Sequence, residues 1–241
     1  LKIKKTDAER AELQPTDRYT ATYKGRQGVI ALGDYSPNFS ELSLYDLYQL
    51  RGITLDLQSG KLNEGHTRLV GVWGQTRRPV EANATSLIAG SGLPTFGQSL
   101  YGARWEFGGP WFQMGLNNVT VNDDSASVSN PGTQVARYNY VNTADVRIGL
   151  PAGIKLSGEA GLDLYSDPTP LLGSSLGNAY HAGLDWNFKP TDTKLSFDWK
   201  DLGGSFGLLP GGYTTVANPG LVPDYRGYEA KIGRASCRER V

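Results

Sequence analysis

Apolar and polar side chains alternate through residues 136–165, on both sides of the turn sequence Pro151-Ala152-Gly153. A period of two predicts strands, because successive side chains of a strand point to opposite faces of a sheet. Each arm of this predicted hairpin sustains the pattern for about a dozen residues, whereas ordinary strands have about 5–6. A strand that crosses a bilayer at a tilt needs about 9–11 residues, so each arm is long enough to span one. The apolar positions are Ala136, Tyr138, Tyr140, Ala144, Val146, Ile148 and Leu150, then Ile154, Leu156, Ala160, Leu162 and Leu164, with Val141 and Asn142 out of phase.

The same alternation predicts about eleven or twelve strands along the chain. In the strand that begins at Trp111, the apolar phase shifts by one residue at Asn117-Asn118, which predicts a β-bulge. The tip of a preceding strand is expected at residues 1–4, before a charged loop that extends to Asp17. The other strands are expected at 18–24, 29–33, 48–58, 66–76, 99–107, 111–122, 136–150, 154–165, 180–188, 195–200 and 225–231.

The connections between these strands alternate in length. Short ones are expected at 25–28, 59–60, 108–110, 151–153 and 189–192, and long ones at 34–46, 77–97, 123–133, 167–176 and 203–224. Outer-membrane barrels show this alternation, because each strand reverses direction between short periplasmic turns and long extracellular loops. A soluble β-sandwich has no reason to sort its loops in this way. The pattern therefore predicts an all-β fold, an antiparallel up-and-down transmembrane β-barrel that is incomplete, and a soluble β-sheet protein is the alternative.

Composition supports this interpretation once the last ten residues are set apart. Residues 232–241 match the translation of a common high-throughput sequencing adapter, and we expect this segment to be an artefact that contributes nothing to the fold. The three domains expected are thus a charged loop or strand end at 1–17, a barrel fragment at 18–231 and the artefact at 232–241. Without that segment the formal charge falls from 0 to −2 and the single cysteine, Cys237, is lost. A slightly acidic chain of this kind is not expected to bind nucleic acid.

Between Arg18 and Lys231 the chain resembles bacterial outer-membrane β-barrel proteins in its strand pattern and loop alternation. This resemblance implies a location in the outer membrane of a Gram-negative bacterium, with membrane lipid and lipopolysaccharide as partners. A narrower similarity links Leu32-Gly33-Asp34, Phe39 and residues 51–55 to the strand–loop–strand of fimbrial usher pores. It implies an export or assembly pore as the second alternative, and a surface-exposed structural or adhesive barrel that acts through its long loops is the third. The oligomeric state is left open.

In a membrane barrel the apolar face must meet lipid, so the polar face is expected to line the interior. The signs of the interior charges nearly balance, which favours a passive or weakly selective pore for small polar solutes over a strongly selective one. Arg147 with Glu159, and Asp185 with Lys194, are expected to be diagonal neighbours across tight hairpins. The predicted pore-lining residues are Asp56, Arg104, Glu106, Arg137, Asp145, Arg147, Lys155, Glu159, Asp163, His181, Asp185, Lys194, Asp198 and Lys200.

No pattern in the chain predicts catalysis, a cofactor or a metal ion. His181 near Asp198 is expected to be an interior pair rather than a catalytic dyad. The sequence Asn122-Asp123-Asp124-Ser125 is rich in oxygen donors but lacks the spacing of an EF-hand, so a solvated loop is expected there. The glycine-rich stretch at 173–177 precedes no predicted helix, which disfavours phosphate binding. We therefore expect no enzymatic activity and no bound cofactor.

Overall fold

The computed structural model describes most of the chain as a single antiparallel sheet. Its twelve strands are paired in the order of the sequence, β1 to β12, each with its sequence neighbours. The strands are β1 Lys2–Lys4, β2 Arg18–Lys24, β3 Gly28–Tyr35, β4 Leu50–Lys61, β5 Gly65–Arg77, β6 Gly97–Gly108, β7 Phe112–Asp124, β8 Tyr138–Leu150, β9 Ile154–Ser166, β10 Ser174–Phe188, β11 Thr193–Leu202 and β12 Tyr225–Arg234. The described residues are 2–4, 18–35, 37–44, 50–61, 65–79, 81, 94–132, 135–166, 174–188, 193–206 and 224–234.

This arrangement confirms the predicted all-β, up-and-down fold. Within the described residues β1 pairs only with β2, and β12 only with β11, so the sheet is open, as an incomplete barrel would be. No helix in this part of the chain is long and apolar enough to cross a membrane. The predicted loop at 5–17, the tips of several connections and residues 235–241 lie outside the described residues.

The strands differ from prediction mainly at their ends. The tight turn expected at Ser59-Gly60 is wrong, because these residues pair with Thr67 and His66 and β4 continues to Lys61. The loop expected at 167–176 is shorter, since β10 begins at Ser174. Strand β12 extends to Arg234, so the first three residues of the 232–241 segment pair with β11, contrary to the expectation that none would contribute to the fold. The origin of that segment stays a prediction.

The predicted β-bulge at Asn117-Asn118 is also wrong. Strand β7 keeps an unbroken register with both β6 and β8 across these residues. Val119 and Val121 therefore share a face with Asn117, and both are buried. The out-of-phase Val141 of β8 is buried on the same face. The apparent phase shift in the sequence therefore reflects valines that point inward. The structure does contain a register shift elsewhere, at Gln75–Arg77, between β5 and β6.

The segment 37–44, which follows β3, explains why these valines are buried. It packs Phe39, Leu42 and Leu44 against one face of the sheet, hereafter the inner face, in one cluster with the inward valines. The opposite face is called the outer face. Phe206, just after β11, joins the same cluster. The residues of this core are Phe39, Leu42, Leu44, Leu50, Val70, Val72, Leu100, Val119, Val121, Val141, Ala179, Leu202 and Phe206, with Tyr35 packed against them.

Contacts of this segment show that the sheet is strongly curled. Glu41 is six positions beyond Tyr35, the last residue of β3, and its carboxylate lies 3.0 Å from the Lys200 ammonium of β11. Six residues extend at most about 21 Å. In a flat sheet with strands about 4.8 Å apart, β3 and β11 would be about 38 Å apart. The segment can reach β11 only because the strands wrap around it, so the inner face is concave.

Candidate functional site

The predicted pore-lining residues share the inner face, where they differ widely in exposure. The strand register places the positions of β8, β9 and β10 in phase, so that their polar side chains form continuous rows. Arg137 immediately precedes β8 and is half-buried. Buried members are Arg104, Glu106, Asp145, Glu159, Asp163 and His181; half-buried ones are Asp56, Asp198 and Lys200; exposed ones are Arg147, Lys155, Asp185 and Lys194.

A buried charge cluster centred on Arg104 occupies the middle of this face. The guanidinium donates to Asp145 on β8 through Nη1 and Nη2, at 2.5 and 3.1 Å, and to Glu106 through Nε and Nη2, at 3.1 and 2.9 Å. Its Nη1 also donates to Asn117 Oδ1 at 2.7 Å. His66 Nε2 lies 3.1 Å from the other oxygen of Glu106. Two carboxylates thus share one arginine.

Glycine in the intervening strand makes this cluster possible. Gly115 of β7 lies between Glu106 and Asp145 in the register. A Cβ built at Gly115 would come within 2.5 Å of both Arg104 Nη2 and Asp145 Oδ2. The absent side chain leaves the space through which the guanidinium crosses β7. Sequence analysis identified the charged partners of this cluster but missed Gly115 and Asn117.

The segment 37–44 is fastened to the same region by polar contacts. Ser40 Oγ lies 3.1 Å from Thr143 Oγ1 and accepts a hydrogen bond from Asn117 Nδ2 at 3.1 Å. The Leu42 amide donates to Glu159 Oε1 at 3.2 Å. Sequence analysis treated this stretch as part of a long loop. The available signal was its composition, because Phe39-Ser-Glu-Leu-Ser-Leu44 has three large apolar residues in six, which is unusual for a solvated loop.

His181 is part of a polar group that includes Glu41 of segment 37–44. Its Nε2 lies 2.7 Å from Asp198 Oδ1 on β11, and its Nδ1 lies 3.8 Å from Glu41. Lys200 completes the group through its contact with Glu41. The proximity of His181 to Asp198 agrees with the predicted interior pair. The contact with Glu41 could not be anticipated, because it depends on the inward position of the segment.

The predicted diagonal pairs do not form ion pairs. Arg147 is opposite Ser157, which places it diagonal to Glu159. Asp185 is likewise diagonal to Lys194. Neither pair lies within 4 Å among the described residues, and the Asp185 carboxylate instead accepts a hydrogen bond from Ser196 Oγ at 2.7 Å. The register was predicted well here, whereas the side-chain contacts were not.

A cavity of about 460 Å³ opens on the inner face near the short turns of β6–β7 and β8–β9. We call it the turn-end cavity. Segment 37–44 borders it through Glu41, and Trp111 lies at the β6–β7 turn. Its charged lining residues are Glu41, Asp145, Arg147, Lys155, Glu159, His181 and Asp185.

The solvated loop expected at 122–125 is wrong, because Asn122, Asp123 and Asp124 belong to β7 and the Asp123 carboxylate is buried. Asp123 accepts hydrogen bonds from Arg77 and Gln98, at 2.8 and 3.0 Å. Asp124 caps a 3₁₀ turn by accepting from the Ala126 amide at 3.0 Å. Within the described residues no group of three or more histidine, cysteine, aspartate or glutamate side chains is arranged to hold a metal ion.

The residues of the usher-like similarity lie on the paired strands β3 and β4, except Phe39, which lies in segment 37–44. Asp34 and Arg51 are opposite each other, and Arg51 donates to the two oxygens of the Asp34 carboxylate at 2.8 and 3.1 Å. This ion pair joins the two strands where segment 37–44 leaves the sheet. Comparisons of the whole chain with known protein families, with curated proteins and with solved structures found no match.

Proposed function

We propose that this chain forms wall strands of an outer-membrane β-barrel and that the barrel is a passive or weakly selective pore for small polar solutes. The observation that carries the proposal is the contrast between the two faces of the sheet. Large apolar side chains cover the outer face and are exposed, while the inner face carries charged groups. Exposed outer-face residues include Leu32, Leu55, Leu69, Trp73, Tyr101, Trp105, Leu162, Leu164, Leu184 and Phe197.

The two faces of the sheet require different surroundings, hydrocarbon for the apolar face and water for the charged one. Soluble monomeric proteins rarely expose contiguous apolar patches larger than a few hundred Å². A sheet with such a face is stable if hydrocarbon covers it, and its backbone groups are then bonded to neighbouring strands, as a bilayer requires. Strands β4 to β10 have 12 to 15 residues each, more than the about 9–11 needed to cross. Lipid and lipopolysaccharide are therefore the proposed partners of the outer face.

The inner face favours a pore of limited size and weak charge preference. Several interior charges are neutralised locally, as in the Arg104 cluster and the Asp56–Arg68 pair, where the closest atoms are 2.7 Å apart. Such pairs leave little net field to select ions by sign. Segment 37–44 reduces the space available to solutes at its level. We propose that the remaining passage runs beside this segment into the turn-end cavity.

The experiment that tests this proposal is refolding, into lipid vesicles, of the complete barrel to which this chain contributes its strands. We expect a folded form that migrates faster than the heated form on a detergent gel, and stepwise conductance after transfer to a planar bilayer. Neutral solutes of increasing size should be excluded above a threshold in vesicle-swelling assays. The soluble β-sheet alternative would be favoured if the protein stays folded and monomeric in buffer without detergent and does not insert into vesicles. Insertion without conductance would favour the surface-exposed structural barrel.

A further inference from the structure

We infer that the turn-end cavity is a binding site for a small anionic solute, a carboxylate or a phosphate, with Arg147 and Lys155 as its recognition residues. This inference rests on the proposed pore function and adds a class of solute to it. Both side chains line the cavity and both are exposed. Arg147 of β8 is opposite Ser157, and Lys155 of β9 is opposite Gly149, so the two cations are diagonal neighbours on the inner face.

The carboxylates that line the cavity are already bonded within the protein. Asp145 is bound to Arg104, and Glu41 pairs with Lys200. Glu159 accepts the Leu42 amide and Asp185 accepts the Ser196 hydroxyl. The lining carboxylates thus already accept hydrogen bonds from the protein itself. Within the part of the chain that the structure describes, the side chains of Arg147 and Lys155 make no hydrogen bond or ion pair.

Unused hydrogen-bond donors are therefore concentrated on the two cations. An arginine presents N–H groups in a planar fork that matches the two oxygens of a carboxylate or phosphate, and a lysine adds a compact positive charge. An oxyanion between them would satisfy donors that water alone now satisfies. Asp185 opposes this preference, because its Cα is directly opposite that of Lys155 in the β9–β10 register. A Lys155–Asp185 contact would compete with the solute and weaken anion binding. Loss of either cation should therefore lower the affinity for an anion, and loss of the Asp185 charge should raise it.

The test measures phosphate binding and ion preference on the same variants of the whole chain. Inorganic phosphate is titrated calorimetrically into detergent-solubilised protein, and reversal potentials are recorded in planar bilayers under a potassium chloride gradient. Arg147→Gln and Lys155→Gln should each weaken phosphate binding about fivefold, the factor for one ion contact at about 4 Å in a water-like dielectric. Asp185→Asn should strengthen it. Lys194→Gln is the matched control, an exposed lysine of the same face that does not line the cavity.

Arg147→Lys separates charge from geometry, since it keeps the positive charge and loses the planar fork. An intermediate loss of affinity is expected for it. Equal phosphate affinity in wild type, Arg147→Gln and Lys155→Gln would overturn the inference even if the bilayers conduct. If the protein forms no channel but its phosphate affinity still changes with these substitutions, the binding site is supported and the proposed pore function is rejected. Effects of Lys194→Gln as large as those of the cavity variants would show a general surface-charge effect and also overturn it.

Discussion

At the scale of single residues, the buried charges around Arg104 are compatible with a stable sheet because they bond to one another. Arg104 and Asp145 are nearly inaccessible. Arg104 donates to Glu106 and Asn117, and Asn117 donates to Asp145. Buried ion pairs gain little over apolar residues of the same size, but removal of one partner leaves an uncompensated charge in a low-dielectric environment. The Arg104 cluster should therefore be sensitive to loss of its cation.

Arg104→Met should lower the free energy of unfolding by about 3–5 kcal/mol, because Glu106 and Asp145 would lose their shared cation. The matched control is Arg68→Met. Arg68 also pairs with a carboxylate, that of Asp56, but both side chains are about one-third exposed, so its loss should cost at most about 1 kcal/mol. Urea unfolding in vesicles measures both variants. Similar costs for the two substitutions would contradict the special role of the Arg104 cluster.

Gly115→Ala should destabilise the protein by about 1–3 kcal/mol, because the added methyl group would displace Arg104 and Asp145 from their contact. Gly71→Ala is the control, since a Cβ at Gly71 of β5 would meet no atom within 4 Å. Unfolding measurements on both variants compare the same chemical change in a crowded and an open place. An unchanged free energy of unfolding for Gly115→Ala would mean that the Arg104 guanidinium can reach Asp145 without the space at Gly115.

At the scale of elements, segment 37–44 combines the roles of core and interior wall. Phe39, Leu42 and Leu44 are buried among the inward valines. Ser40 and the Leu42 amide bind the polar residues of β7, β8 and β9. The segment therefore stabilises the curled sheet while it occupies interior space, so changes within it should affect both stability and, in the proposed pore, conductance.

Leu42→Ala should cost about 2–5 kcal/mol of unfolding free energy, as expected for a fully buried leucine. It should also raise single-channel conductance, because a smaller side chain loosens the segment. Asn38→Ala, an exposed position of the same segment, should change stability by less than about 0.5 kcal/mol and leave conductance unchanged. A Leu42→Ala variant with wild-type stability would show that the segment is not part of the core.

At the scale of the whole molecule, the two faces of the sheet should respond differently to charge. Leu162→Arg and Leu184→Arg place a cation on the outer face, where both leucines are exposed, and should cost about 2–4 kcal/mol at the midplane of a bilayer. Asp185→Asn on the inner face should fold normally. Folding yield in vesicles measures this difference, and equal tolerance of both classes would contradict the proposed lipid contact.

A labelling experiment tests which face of the sheet contacts lipid without placing a charged side chain on the outer face. Cysteines that replace Leu162 and Ile148 should react with a lipid-soluble probe, and a cysteine that replaces Arg147 should react only with a water-soluble one. Cys237 is first replaced by serine, so that the introduced thiol is the only one. The reverse labelling pattern would mean that the inner face, and not the outer face, contacts lipid.

The sequence by itself determined the strands, their order and the polarity of the two faces. Alternation is a local property of consecutive residues, and short connections force neighbouring strands to pair, so both can be derived without knowledge of distant contacts. For the same reason, the charged residues predicted for the interior could be assigned to one common face, and the strand register places them together on the inner face. Local alternation also explains the error at Asn117-Asn118. An inward valine has the same pattern as a shifted strand unless the partner that buries it is known.

Only the tertiary structure decided what covers the inner face and which charges neutralise each other. Ser40 contacts Thr143 across 103 positions of sequence, and Leu42 contacts Glu159 across 117. These contacts exist because the sheet curls, and curling depends on the twist and packing of all its strands rather than on any single one. The free cations of the turn-end cavity follow from the same contacts. In the proposed site, Arg147 and Lys155 can bind a solute because the neighbouring carboxylates already accept hydrogen bonds from the protein.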